Sequence, residues 1–396
     1  MFKRFGPGAM VAAAFIGPGT VTTATTAGAQ FGTALVWAVI FSVVATVVLQ
    51  ELSLRAALVT DRDLAGLMRA LGADCWWGWV LLTLIVLAIG AGNAAYQSGN
   101  LAGAGLGLQA LLGGEHQQWI AITAFLAGGV IVLNHYHWFE RVLVVLVAMM
   151  AIVFIGLAVL LLLLDGPTLD WSPALPAGSG TLALALVGTT VVPYNLFLHA
   201  SAVRMRWRGE AVATALVQAR QESALSIAIG GIVTLAIVIV GGLLLSPDRA
   251  DQILVQLVQA VDETLPGVGR WLVGGGLFAA GLTSAVAAPV AAGWTVCGCF
   301  GWPVDRRSTS FRAIALIVLC SGVFFSLVTA RPIVLILTAQ ATNAVLLPIV
   351  ALALLAVVNR KDLLGDYVNT PRQNLGVGLM MVFVLGLAST KLSGLF

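Results

Sequence analysis

Long apolar runs separated by short polar connections dominate the chain, and the runs are long enough to cross a hydrocarbon core of about 30 Å as helices. They predict an all-α integral membrane protein with helices near residues 8–29, 34–58, 76–97, 118–134, 141–164, 181–203, 221–245, 270–299, 312–330, 332–358 and 375–395, numbered here as spans 1 to 11. Residues 1–396 read as one transmembrane domain, with the longest polar connections at 59–75, 204–220, 246–269 and 359–374. In the third connection Ile253, Leu254, Leu257, Val258 and Val261 recur at helical spacing, which predicts a short helix lying on the membrane surface. The Pro- and Gly-rich stretch 165–180 reads as an ordinary external loop.

Two spans are interrupted near their middles. Span 1 carries Gly17, Pro18, Gly19 and Thr20, followed by Thr22 and Thr23; span 6 carries Thr189, Thr190, Val192, Pro193, Tyr194 and Asn195. Proline removes a backbone donor and clashes with the preceding turn, and flanking glycine lets the chain leave helical geometry. Backbone opened at mid-membrane depth is tolerated only against protein or a water-filled cavity. Breaks in the first members of two five-helix halves point to a central solute site.

Other polar residues sit where lipid would penalise them. Gln340 and Asn343 share a face of span 10 at i and i+3, so they turn inward, with a gating contact expected. Asn93, Tyr96, Gln97 and Asn100 form a stripe on span 3 that serves either interhelical hydrogen bonding or a polar coupling route. Gly99, Gly103, Gly105 and Gly107 on the same span suit close packing. His199 could couple proton movement or simply pair with a neighbouring helix, and Arg312 could pair inside the bundle or snorkel to the boundary. His135, His137, Glu140 and Arg141 read as an interfacial charged turn, and Glu51 as the partner of a basic loop.

Composition agrees with a lipid solvent: 60% of residues are apolar and 9% charged, with mean hydropathy +1.01, where a soluble domain carries about 25% charged residues. Sixteen of the twenty lysines and arginines fall on the side of Lys3 and Arg4, against Arg249, Arg270, Arg331 and Lys391 on the other. This asymmetry puts the N-terminus in the cytoplasm and the C-terminus outside, in the inner membrane of a prokaryote. The net charge of +3 is thus orientation and not a nucleic-acid footprint. The four cysteines lack the spacing of a zinc site and read as small core residues. The first run reads as a retained helix and not a cleaved signal peptide.

The stretch Gly6-Pro7-Gly8 through Ala24-Thr25-Thr26-Ala27-Gly28-Ala29-Gln30-Phe31-Gly32, together with Val192-Pro193-Tyr194-Asn195-Leu196-Phe197-Leu198-His199, resembles the first and sixth helices of the Nramp divalent-metal transporters. The likeness continues around Gln340 and through the basic connection between spans 8 and 9, covering nearly the whole chain. It implies a LeuT-type fold: two inverted five-helix repeats (about 8–164 and 181–358) with spans 1 and 6 broken, an eleventh helix (375–395), and alternating access. The family's Asp-Pro-Gly-Asn is Gly17-Pro18-Gly19-Thr20 here, and its Met-Pro-His is Val192-Pro193-Tyr194. The acidic positions of its third helix align with Gln97 and Asn100, while Arg312 and His199 match an arginine of the ninth helix and the second histidine of the sixth.

The departures change the expected cargo. A dehydrated divalent cation needs anionic or soft ligands to offset its desolvation, and the breaks supply neither. The N-terminus of the half-helix after Pro18 is a positive end flanked by hydroxyls, which suits an anion. A small oxyanion or carboxylate is therefore expected, bicarbonate foremost, with H⁺ or Na⁺ as a possible coupling ion, no cofactor and no bound-metal ligand set. A carrier of hydrated Mg²⁺ or Mn²⁺ is the alternative, then a non-transporting receptor or scaffold. No nucleotide-binding loop or nucleophile motif suggests an enzyme. The expected partners are the ion and the lipid bilayer, with no nucleic acid.

Overall fold

The computed structural model of the chain describes residues 16–72, 76–133, 137–164, 170–247 and 252–393. Its helices are α1 (Pro18–Phe31), α2 (Val36–Thr60), α3 (Leu64–Gly72), α4 (Trp76–Leu112), α5 (His116–Leu133), α6 (His137–Leu164), α7 (Gly180–Thr190), α8 (Pro193–Arg206), α9 (Val212–Leu244), α10 (Ile253–Thr264), α11 (Gly269–Phe300), α12 (Thr309–Val328), α13 (Pro332–Val358), α14 (Lys361–Leu364) and α15 (Pro371–Ser393). Among the described residues, ten helices are long and apolar enough to cross a membrane, counting α7 and α8 together. α1 takes the place of the second half of span 1. Lys3, Arg4, Gly6, Pro7, Gly8, Cys75, His135 and Phe396, and the side chains of His137, Glu140 and Arg141, lie outside the described residues.

The expected interruption of span 6 is present, and α1 starts at the position predicted for that of span 1. α1 and α8 each open on a proline, whose fixed φ suits the first helical position and whose missing donor costs nothing there. α7 stops at Thr190, and only Val191 and Val192 separate it from α8.

Several boundaries differ from the sequence pattern. Span 3 loses its apolar character near residue 97, yet α4 runs on to Leu112. Its glycines lie against neighbouring backbone and ring atoms: a Cβ on Gly103 would stand 2.2 Å from the Pro18 Cβ, and one on Gly107 2.6 Å from the Gly274 carbonyl oxygen. These residues allow close packing of α4 on α1 and α11, and they do not end the helix. α9 begins at Val212, nine residues before its predicted start, so Arg220 is helical and not part of a loop. The connection after α2 contains α3, which the pattern does not mark.

α10 carries the predicted stripe, but Ile253, Leu254, Leu257, Val258 and Val261 are all buried and the helix packs on α11 and α1. The stripe therefore faces protein and not lipid. The described part of the 165–180 stretch, from Asp170 on, is likewise pinned: Trp37 Nε1 donates to the Ala174 carbonyl at 2.7 Å, and Thr33 Oγ1 to that of Asp170 at 2.5 Å.

At the opposite, arginine-rich end, Arg55 is buried and donates to the Tyr367 carbonyl and the Asn369 side chain. Glu51 pairs with Arg55 at 3.1 Å and with Arg220 of α9 at 2.6 Å, so its partners are helical residues and not the expected loop. This network joins α2 to α9 and to the segment leading into α15.

Candidate functional site

The site assembles where α1 starts, α7 ends and α8 starts. Gly17 caps α1 in an extended conformation (φ −86, ψ 169), and the first turn holds no acidic residue. The first backbone bond closes from Val21 N to Gly17 O at 3.1 Å, which leaves the earlier amide of Gly19 without an intrahelical acceptor. The two breaks touch: Thr20 Oγ1 and Thr189 Oγ1 lie 2.9 Å apart. Both N-terminal ends, α1 and α8, present partial positive charge to this region, and the C-terminal end of α7 presents partial negative charge.

Gln340 of α13 completes it. A Cβ on Gly19 would lie 2.1 Å from Gln340 Nε2 and 3.2 Å from its Oε1, so the absence of a side chain at 19 makes room for the amide. Gln340 is fully buried, and neither amide atom has a hydrogen-bond partner. The hydroxyls of Tyr96 and Tyr194 are also buried and turn toward one another, with the two rings edge to face at 5.6 Å. Thr23 Oγ1, Asn195 Nδ2 and Asn343 Nδ2 are further buried polar atoms without partners. Each such atom costs about 1–3 kcal/mol if nothing ever binds it. Those that gather around the helix breaks make this the candidate site.

Two predicted donors are already committed. Thr22 Oγ1 donates to the Pro18 carbonyl at 2.7 Å and Thr190 Oγ1 to that of Leu186 at 3.0 Å, so both can offer only lone pairs to a ligand. Val192 contributes backbone and a buried apolar wall.

The stripe on α4 divides between two roles. Pro289 lies inside α11 and cannot donate to the Ala285 carbonyl one turn back. Gln97 Nε2 donates to that carbonyl at 3.0 Å, and Asn93 Nδ2 to that of Ala288 at 3.1 Å. Asn100 Nδ2 reaches Gln97 Oε1 at 3.5 Å. Gln97 thus repairs the proline gap and Asn93 adds a second bond between the same helices, the interhelical alternative raised by their spacing, while Tyr96 turns to the break. Gln97→Leu is expected to destabilise the fold by about 1–3 kcal/mol through the orphaned carbonyl, with solute selectivity unchanged. A thermal melt in detergent that matches the wild type would refute this.

His199 and Arg312 are not brought to the break. His199 Nε2 lies 2.8 Å from Ser223 Oγ of α9 and is fully buried. Arg312, in the first turn of α12, donates from Nε to the Arg306 carbonyl at 3.1 Å. Gln50 is the residue sequence reading passes over. Ser53 Oγ donates to the Leu196 carbonyl at 2.7 Å, and Gln50 sits one turn earlier on the same face, with a buried, unpartnered Oε1.

Among the described residues no Asp or Glu is buried, and no three His, Cys, Asp or Glu side chains come together. Below the break, a cavity of about 360 Å³ opens between α8, α3 and α11, lined by Phe197, Ser201, Arg204, Trp294 and Thr295 among others. Beside it Arg204 pairs with Asp61 at 2.8 Å and holds that carboxyl below the ordinary carboxylate range. The Arg306 guanidinium lies 5.0 Å from the Trp294 ring centre.

Comparison with known proteins agrees with this architecture. The family model described as natural resistance-associated macrophage protein-like matches residues 8–393. The divalent metal cation transporter MntH 1 of Pseudomonas aeruginosa is 27% identical over 388 residues, covering 92% of this chain and 85% of that protein. The divalent metal cation transporter MntH of Aeromonas hydrophila is 27% identical over 396 residues, covering 96% and 93%. A mutant of the Eremococcus coleocola manganese transporter superposes with TM-score 0.77 at 20% identity, over 98% of this chain and 86% of that one. The nucleobase-cation-symport-1 family transporter Mhp1 superposes with TM-score 0.60 at 18% identity, over 98% and 91%. These likenesses give the fold as LeuT-type, with the eleventh helix at α15.

Proposed function

Because this chain belongs to the natural resistance-associated macrophage protein-like (Nramp) family of membrane transporters, we propose that its cargo is a small oxyanion, bicarbonate foremost, bound where α1, α7 and α8 meet. The chain is a multi-pass secondary transporter and not an enzyme. The observation that carries the anion reading is the sign of the site. Two positive helix ends, α1 and α8, outnumber the one negative end of α7 there, beside neutral donors from the Tyr96–Tyr194 pair and the Gln340 amide, and no carboxylate is buried among the described residues. A dehydrated divalent cation placed among these groups would lack the charge that offsets its lost hydration.

A coupling cation has its own place in this scheme. The carbonyl end of α7 and the lone pairs of Thr22 and Thr190 suit Na⁺ beside the anion, whereas His199 is the one buried group in α8 able to carry a proton. The arginine-rich end is taken as cytoplasmic in a prokaryotic inner membrane, with the 360 Å³ cavity as the inner mouth.

A second reading, a hydrated divalent cation, draws on the relatives, whose printed names are those of divalent metal cation transporters. Purified protein in liposomes separates the two. Saturable uptake of radiolabelled bicarbonate with Mn²⁺ and Mg²⁺ flux at background is the expected result. Robust Mn²⁺ uptake that ignores added anions would replace the first reading by the second.

A further inference from the structure

We propose that the site selects oxyanions that still carry a proton, and that the Gln340 amide reads the substrate O–H; this rests on the anion reading above. The argument begins with how firmly Gln340 is held. Its backbone oxygen abuts Gly188 of α7, where a Cβ would stand only 1.8 Å away, so α13 is fixed against α7 at this residue. The side chain then fills the space that Gly19 leaves open, 2.1 Å from where a Cβ would be. In this position Nε2 and Oε1 are both buried and both unpartnered.

The other groups at the break, the free O–H of the Tyr96–Tyr194 pair and the Asn195 amide nitrogen, can donate. An anion that only accepts would be satisfied by donors alone. It would leave the Gln340 oxygen facing lone pairs in a buried site, which is repulsive and costs the oxygen its water. An amide presents one donor and one acceptor in a single plane, and a group of the form O=C–O–H matches both at once. The substrate oxygen accepts from N–H while its hydroxyl donates to the amide oxygen. Rotating the amide exchanges the two ends and changes nothing in this match.

Bicarbonate has the required group, and formate is its minimal counterpart: the same planar carboxylate with hydrogen in place of hydroxyl. A site that pairs a substrate hydroxyl rejects the analogue lacking it far more strongly than a merely shape-selective one does.

The test is competition against labelled bicarbonate in proteoliposomes containing the full chain, with unlabelled bicarbonate, formate and nitrate as the probes. Half-inhibition by formate and nitrate is expected at concentrations at least about tenfold above that for bicarbonate. Gln340→Leu is expected to bring the three within about threefold of one another, since the unpaired acceptor is gone. Equal competition by formate in the wild type would overturn the proposal and leave the anion reading standing, as would a Gln340→Leu protein that keeps the full gap. Should the leucine variant fail to fold, the wild-type ratio decides alone. If no bicarbonate enters and Mn²⁺ does, the anion reading itself falls.

Discussion

Gly17→Asp is expected to lower bicarbonate uptake by about a thousandfold and to create divalent-cation binding at the same site. The backbone of residue 17 (φ −86, ψ 169) accepts any L residue, and Asp is a favoured N-cap. The new carboxylate would therefore occupy the N-terminus of α1 without straining the chain. One negative charge about 4 Å from the bound anion, at an effective dielectric near 20, costs about 4 kcal/mol, which is about three orders of magnitude in occupancy. The same charge supplies what a divalent cation lacks there. Labelled bicarbonate flux and Mn²⁺ calorimetry on the purified variant read both effects. Uptake within about tenfold of the wild type would mean that the α1 end does not face the solute.

The second large effect is structural. Gly188→Ala is expected to cost about 3 kcal/mol, because the added methyl would meet the Gln340 carbonyl oxygen at 1.8 Å and the Ala344 amide nitrogen at 2.8 Å. Both obstacles are backbone, so no rotamer change relieves the clash and α7 must separate from α13. The control is Gly156→Ala in α6, where nothing lies within 4 Å of the added atom and a change of at most about 1 kcal/mol is expected. Thermal unfolding of both variants in detergent makes the comparison. Equal midpoints would show that α7 and α13 are not held in backbone contact.

Much of this arrangement is legible in the sequence, and the misses have physical causes. Pro18 and Pro193 announce their breaks because a missing backbone donor acts locally, whatever the surroundings. The end of α4 is hidden because glycine signals a helix stop in isolation, yet at Gly103 and Gly107 it serves close packing against Pro18 and Gly274. Thr22 and Thr190 fall at the right positions, but whether a hydroxyl donates to a ligand or to its own helix depends on a rotamer that sequence does not specify. Spacing places Asn93 and Gln97 on one face of α4 without saying that the face meets the carbonyls near Pro289. Gln50 stands among apolar neighbours and gains meaning only from the register that Ser53 sets against α8.

Arg55 is the one Asp, Glu, Lys or Arg side chain buried among the described residues, and it is pinned by Glu51, the Tyr367 carbonyl and Asn369. Moving one elementary charge through the membrane potential is worth about 2.3 kcal/mol per 100 mV. An empty carrier that shifts no such side chain among the described residues through its core would give the voltage almost nothing to pull on, so its return step is expected to be electrically silent. All sensitivity to membrane potential then resides in what is carried. If one monovalent anion travels with one monovalent cation, the charges cancel and the cell can drive the cycle by concentration gradients alone.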